Sequence, residues 1–206
     1  YADEGIELRK AGINLPIMVM SPEEQAFDTM IHHQLEPEIF SFRTLSLLEE
    51  TINRNALPQN KPVKVHIKID TGMNRLGFTK NEIPSLVDKL YANPLIYVQS
   101  VFSHLAASDN SKFDKFSFKQ IELLKSIKEL FTSKSNHKIL FHIANSSAIS
   151  RFPDSHMDMV RLGIGLYGIN DHKDGLDSVL SFKSVLSQIK VVRKGESVGY
   201  DRKWIA

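Results

Sequence analysis

Val63-Lys64-Val65-His66-Ile67-Lys68-Ile69-Asp70-Thr71-Gly72-Met73-Asn74-Arg75-Leu76-Gly77-Phe78 is the stretch on which the reading of this chain turns. From Val63 to Asp70 apolar and polar residues alternate, with Val63, Val65, Ile67 and Ile69 on one side and Lys64, His66, Lys68 and Asp70 on the other, the period of a β-strand. Thr71-Gly72 ends the strand, and Arg75 follows in a loop before Gly77. Taken alone, the alternation favours a half-exposed antiparallel strand with its lysines in water. If strands and helices alternate on either side, the apolar face packs on helices instead, and the polar face turns into a barrel.

The flanking sequence does alternate. Residues 2 to 11 predict a helix with acids first and bases last, closed by Gly12. Leu15 to Met20 is a short apolar run, and Ser21-Pro22-Glu23-Glu24 opens a helix reaching Gln34. Glu36 to Phe42 predicts a strand and Arg43 to Leu57 a helix that ends before Pro58. Past the quoted stretch come a helix from Asn81 to Tyr91, a strand from Ile96 to His104 and a helix from Phe113 to Phe131. A strand from Lys138 to Ala144, a short helix opening at Asn145-Ser146-Ser147 and a last strand from Met157 to Val160 complete the series. Strand and helix in turn is the rhythm of a parallel α/β sheet. The glycine fingerprint of a dinucleotide-binding open sheet is absent after the first strand, and an α/β barrel then places Lys68 and Asp70 near its C-terminal mouth. Beyond Gly168 the pattern changes: 170 to 177 reads as loop and Val179 to Val192 alternates like a strand with no helix after it, which predicts a β-rich second domain. The expected boundaries are 1–172 for the barrel and 173–206 for the start of the β domain.

An apolar share of 42% with 24% charged residues describes a folded rather than a disordered chain. Net charge is +2 with scattered lysines, so nothing points to nucleic acid or to a membrane surface. No apolar run approaches the roughly 20 residues of a membrane span, and a cytoplasmic location is the default expectation. Cysteine is absent, which removes thiolate chemistry. Tyr1 is not a natural start and both ends fall inside patterned sequence, so a fragment is expected.

Polar residues close several strands: Ser103-His104, His142 through Ser147, and Arg161. A barrel enzyme requires such residues at its mouth, although a single strand-end histidine is more often structural, and His66 and His142 taken singly read that way. No short His-x-His or His-x-x-x-His spacing supports a metal site. Asn145-Ser146-Ser147 at a helix start and Gly163-Ile164-Gly165 after the last strand are each ordinary alone, a cap and a tight turn. Together on adjacent strands they predict a phosphate site.

Lys68 to Gly77, His142 to Ala148, Met159 to Gly168 and Gly195 to Tyr200, in order over almost the whole chain, resemble bacterial alanine racemase. That resemblance implies a pyridoxal-phosphate enzyme with a (β/α)8 TIM-type barrel followed by a β domain. It implies two-base proton transfer between L- and D-alanine, supplying D-alanine for peptidoglycan. Arg75 would contact cofactor and substrate carboxylate, and Lys68 would pair with it, as a possible carbamylated lysine. Arg161 would face the pyridine nitrogen and keep it unprotonated; Asn145, Ser146, Gly163 and Ile164 would hold the phosphate. Tyr200 would be a catalytic tyrosine acting in trans in a homodimer, activated through His104 and Arg161.

The resemblance starts after the family's second strand, so the first two strands are expected to be missing. No lysine of this chain stands in the motif that carries the family's Schiff-base lysine, so these residues alone are expected to be inactive. A racemase for another amino acid such as serine, and a non-catalytic barrel domain with an assembly or regulatory role in a longer polypeptide, are the alternatives.

Overall fold

Five short strands lie parallel in one sheet, each beside the next in chain order: β1 (Met18–Val19), β2 (Glu36–Ile39), β3 (Val63–Lys68), β4 (Ile96–Phe102) and β5 (Leu140–His142). This computed structural model describes residues 1–58, 61–169 and 175–206. The helices are α1 (Ala2–Lys10), α2 (Phe27–His32), α3 (Phe42–Arg54), α4 (Ile83–Ala92), α5 (Asp114–Thr132) and α6 (Ser146–Arg151). With a helix between successive strands and no strand out of order, the architecture is that of an incomplete (β/α) barrel. A two-stranded antiparallel sheet of β6 (Ser197–Val198) and β7 (Trp204–Ile205) follows.

The longer helices α3 and α5 are fastened by the residues that predict them. Ser41 caps α3, its Oγ accepting from the Thr44 N–H at 3.1 Å, and Leu45, Leu48 and Ile52 recur on the buried face at helical spacing. Ile121, Leu124, Ile127 and Phe131 do the same for α5. These faces meet Val65, Ile67 and Ile69 from β3 with Val101 and Ile143 from the neighbouring strands in one core. Burying a leucine such as Leu48, with no exposed surface, stabilises the fold by about 1.5–3 kcal/mol. His66 and Lys68 on the opposite face of β3 are buried too, so the lysine side of the alternation is the barrel interior.

One irregularity sets up that interior. Val65 pairs with Val98 but His66 pairs with Ser100, so Gln99 is an extra residue in β4. A bulge of one residue exchanges the faces of everything beyond it. Val98 packs outward before the bulge and Val101 after it, leaving Ser100 and Phe102 on the interior side beside His66 and Lys68.

Two expected strands are corrected. Met157 to Val160 forms none: Asp158 N–H donates to Phe141 O, Asp158 Oδ2 accepts from Phe141 N–H, and Arg161 N–H donates to Ala144 O, each at 3.0 Å. Met157 lies in the left-handed region at φ 47°, which interrupts an extended run. Val179 to Val192 is not a strand either: the segment is exposed from Val179 to Val191, since alternation without a neighbouring strand supplies no ladder. The expected domain boundary at 172 and most of the 170 to 177 loop lie outside the described residues.

Candidate active site

The loop after β3 is shaped by its own sequence. Asp70 Oδ1 accepts from the N–H groups of Gly72 at 2.8 Å and Asn74 at 3.1 Å, and Phe78 returns to the strand through Asp70 N–H to Phe78 O and Phe78 N–H to Lys68 O, both 2.9 Å. Gly77 is required where the loop closes: its φ is +125°, and a Cβ there would sit 2.6 Å from Asp70 N. Asp70 is therefore spent on the turn, and Arg75 stands exposed on the loop.

Lys68 does not pair with Arg75. Its Nζ lies 3.0 Å from Glu38 Oε1 on β2, with side chains 5% and 0% exposed, and 5.3 Å from the centre of the Phe102 ring. The same ring is stacked on His142 at 4.9 Å and faces the Arg161 guanidinium at 5.2 Å.

Arg161 is the hub. Its Nη1 donates to His142 Nδ1 at 2.7 Å; its Nη2 donates to Ser103 O at 2.8 Å and lies 3.0 Å from His104 Nδ1. Burial, with Glu38 opposing it, lowers the Arg161 pKa to about 10, so the guanidinium stays charged at neutral pH. Burial first, then the Arg161 charge, lowers His142 to about 3; burial with Arg161, Lys68 and Arg75 lowers His104 to about 4. Both rings are neutral at neutral pH, and because arginine only donates, both accept on Nδ1 and carry the proton on Nε2.

From His142 the hydrogen bonds continue inward. His142 Nε2 is 3.1 Å from Ser100 Oγ, which is 2.6 Å from His66 Nδ1, and His66 Nε2 is 2.9 Å from Glu36 Oε2. The chain of hydrogen bonds thus runs between Arg161, which only donates, and the Glu36 carboxylate, which only accepts. Burial pushes the Glu36 carboxyl up, and the hydrogen bond and charge of His66 with the Lys64 ammonium outweigh it, holding it below the usual carboxylate range.

Beside the hub, Ser146 Oγ accepts from the N–H groups of Gly163 at 2.9 Å and Gly165 at 3.2 Å, so two backbone donors converge on one oxygen. A Cβ on Gly165 would lie 2.8 Å from Leu162 Cδ1, the end of an exposed side chain that can turn aside, and 3.5 Å from Ser146 Oγ. Ile164 is exposed at the start of the turn after Gly163. Asn145 is engaged in structure: its Oδ1 caps α6 through the Ala148 N–H at 3.0 Å and accepts from Ser108 Oγ at 2.7 Å. Gln120 ties the rim together, donating to His104 O at 3.1 Å and Thr71 Oγ1 at 3.3 Å and accepting from Ala106 N–H at 3.0 Å. Tyr200 is not brought to this cluster; its side chain is exposed to solvent, next to left-handed Asp201 and Arg202. Among the described residues no group of three or more His, Asp or Glu is arranged to hold a metal ion.

The family model for the alanine racemase N-terminal domain matches residues 1–171. The chain belongs to that family. It is 34% identical over 207 aligned positions to an alanine racemase of Oceanobacillus iheyensis, covering 97% of this chain and 54% of the relative. It is 35% identical to the alanine racemase of Treponema denticola, covering 98% and 55%. Among solved structures, the biosynthetic alanine racemase of Pseudomonas aeruginosa superposes with a TM-score of 0.82 at 27% identity over 99% of this chain and 56% of that one. The chain thus spans about half the length of these alanine racemases.

Within this alanine racemase N-terminal domain, the residues that sequence reading passed over are Glu36, Glu38, Ser100 and Phe102. The acids had a signal: Glu36 and Glu38 alternate on β2 as Lys64, His66 and Lys68 do on β3, and Glu38 is the register partner of His66. Two complementary period-2 patterns on adjacent parallel strands mark an interior ion-pair ladder. Ser100 and Phe102 had none, because the bulge moves them to the inner face.

Proposed function

We propose that this chain is the barrel portion of a pyridoxal-phosphate-dependent racemase that interconverts L- and D-alanine. The observation that carries the reading is the Arg161 hub, a buried guanidinium joined to two neutral histidines beside the paired amides at Ser146. The residues fit the cofactor: the Gly163 and Gly165 N–H groups, which converge on the Ser146 hydroxyl oxygen, and that hydroxyl are clustered donors of the kind that suits a phosphate. Ser146, Gly163, Ile164 and the start of α6 would hold that phosphate, and Asn145 would shape the turn rather than bind. When bound, the cofactor supplies an electron sink for the substrate carbon that loses its proton.

The remaining work falls to the protein. Exposed Arg75 offers a guanidinium to the substrate carboxylate at the mouth. Arg161, which keeps its proton at neutral pH, would face the ring nitrogen when the cofactor is bound and would limit how strongly the ring withdraws electrons, favouring return of the α-proton. His104, accepting from Arg161 on Nδ1, has only Nε2–H to offer outward, a donor that stabilises a phenolate oxygen. Tyr200 of a second protomer is the group it would serve, in a homodimer.

The test is conversion of L-alanine to D-alanine by the protein at its full natural length, with pyridoxal phosphate added and L-serine run alongside. D-alanine formed faster than D-serine is expected. Conversion of serine alone would redirect the substrate, and no conversion of either would refute the reading. Residues 1–206 by themselves are expected to convert neither.

A further inference from the structure

The buried stripe of α5 turns polar as the helix reaches the mouth: Phe131, Ile127, Leu124 and Ile121 give way to Gln120 and Ser117, all of them buried. Gln120 is 1% exposed, a position that an apolar side chain would fill, and an amide is tolerated there only when its polar atoms find partners. It finds three. Nε2 donates to His104 O at 3.1 Å and to Thr71 Oγ1 at 3.3 Å, and Oε1 accepts from the Ala106 N–H at 3.0 Å. The His104 carbonyl only accepts and the Ala106 N–H only donates, so the amide has one orientation and a carboxylate cannot take its place. The partners belong to two different loops. Thr71 opens the loop after β3 that carries Arg75, while His104 and Ala106 lie on the segment after β4. The Ser103 hydroxyl donates to Ile69 O at 2.7 Å, so the Thr71 hydroxyl donates to Ser103 Oγ at 2.7 Å and keeps a lone pair for Gln120. A Cβ on Gly72, whose φ is +136°, would lie 2.9 Å from Phe116 Cζ and 3.7 Å from Gln120 Cγ, so α5 packs directly on the loop backbone beside Thr71.

We propose that Gln120 is a positioning residue that locks the Arg75 loop and the His104 loop into one arrangement across the mouth. Asp70 shapes the first loop from within, through the Gly72 and Asn74 N–H groups, without reaching the second. Arg161 holds the second, through Ser103 O and His104 Nδ1, without reaching the first. Gln120 is bonded to both. Its two donated bonds leave a single planar NH2 group, so a shift of either loop relative to the other breaks one of them, and the two loops take their places together. Arg75 and His104 thereby keep a fixed separation, although Gln120 touches neither side chain's working end. The inference rests on the functional reading in assigning the substrate carboxylate to Arg75 and the Tyr200 oxygen to His104; the tie between the loops stands apart from it.

The test joins hydrogen–deuterium exchange to steady-state racemisation of L-alanine, both on the protein at its full natural length with pyridoxal phosphate. In the wild type the Ala106 N–H, on an exposed residue outside any helix or strand, is expected to be protected from exchange. Gln120→Met keeps the length and removes all three bonds, and Gln120→Glu keeps only the acceptor for Ala106. Each is expected to speed exchange over 71–77 and 104–107 together, and to raise KM for alanine while lowering kcat, with kcat/KM down about ten- to a hundredfold. Ile127→Val, which thins the apolar stripe two turns further along α5, is expected to leave both loops and both constants unchanged. An unprotected Ala106 N–H in the wild type overturns the proposal without any variant. So does a folded Gln120 variant whose exchange rises in one loop only or whose KM and kcat stay at wild-type values. Ile127→Val reproducing the changes also overturns it, since Gln120 would then be no more than a part of the core. If the wild type converts no alanine, the functional reading fails, and exchange alone decides whether Gln120 ties the loops.

Discussion

His142 is held between a donor that cannot be deprotonated at neutral pH and a serine that must accept, and it is fully buried against the Phe102 ring. Its folded pKa of about 3 lies below the ordinary 6.5, so below pH 6.5 the unfolded chain takes up a proton that the folded chain refuses. Stability is therefore complete above pH 6.5 and falls as the pH drops toward 3, with His104 adding to the loss down to about 4. The expected slope from His142 is about 1.4 kcal/mol per pH unit in that window, measured by urea unfolding at stepped pH. His142→Leu should flatten the curve by that share while costing about 1–3 kcal/mol at pH 7, because Arg161 and Ser100 lose a partner. Arg161, His104 and Ser146 were legible because polar residues at strand ends announce a barrel mouth. Glu38 and Lys68 as partners were not, because acid and base lie thirty residues apart and only the β2 to β3 register joins them.

Among the elements, the loop after β3 is the best defined by its own chemistry. Gly77→Ala should destabilise the protein by more than about 2 kcal/mol, since it combines a positive φ with backbone overlap at Asp70. Asp70→Ala, which frees two loop N–H groups that water can then reach, should cost about 1 kcal/mol and loosen Arg75. Thermal unfolding of the two variants distinguishes strain from a lost turn bond. The β3 alternation and the Asp-Thr-Gly turn could be read directly from residue order. The inner face of β4 could not, because deciding which of Gln99 and Ser100 points inward requires the position of one extra residue.

At the scale of the molecule, the strand and helix rhythm was legible because the longer helices α3, α4 and α5 each carry a buried apolar stripe, and α3, which is also capped by Ser41, shows how far the fold depends on it. Leu48→Ala should cost about 2–5 kcal/mol by urea unfolding, a core cavity rather than a site effect. What residue order did not reveal is where alternation fails to make a strand: Val179 to Val192 has the period but no neighbour to pair with, and exposes Phe182, Val185 and Ile189. The same separation leaves Tyr200 apart from the Arg161 hub, which the proposed function resolves by supplying Tyr200 from a second protomer. The most direct measurement is complementation between two variants of the full-length protein, Arg75→Ala and Tyr200→Phe, co-expressed and assayed for D-alanine from L-alanine. Each alone should be nearly inactive, and the mixture should recover about a quarter of wild-type activity, because half of randomly paired dimers carry one intact site of two. A mixture no more active than its components, or Tyr200→Phe racemising at the wild-type rate, would contradict the account.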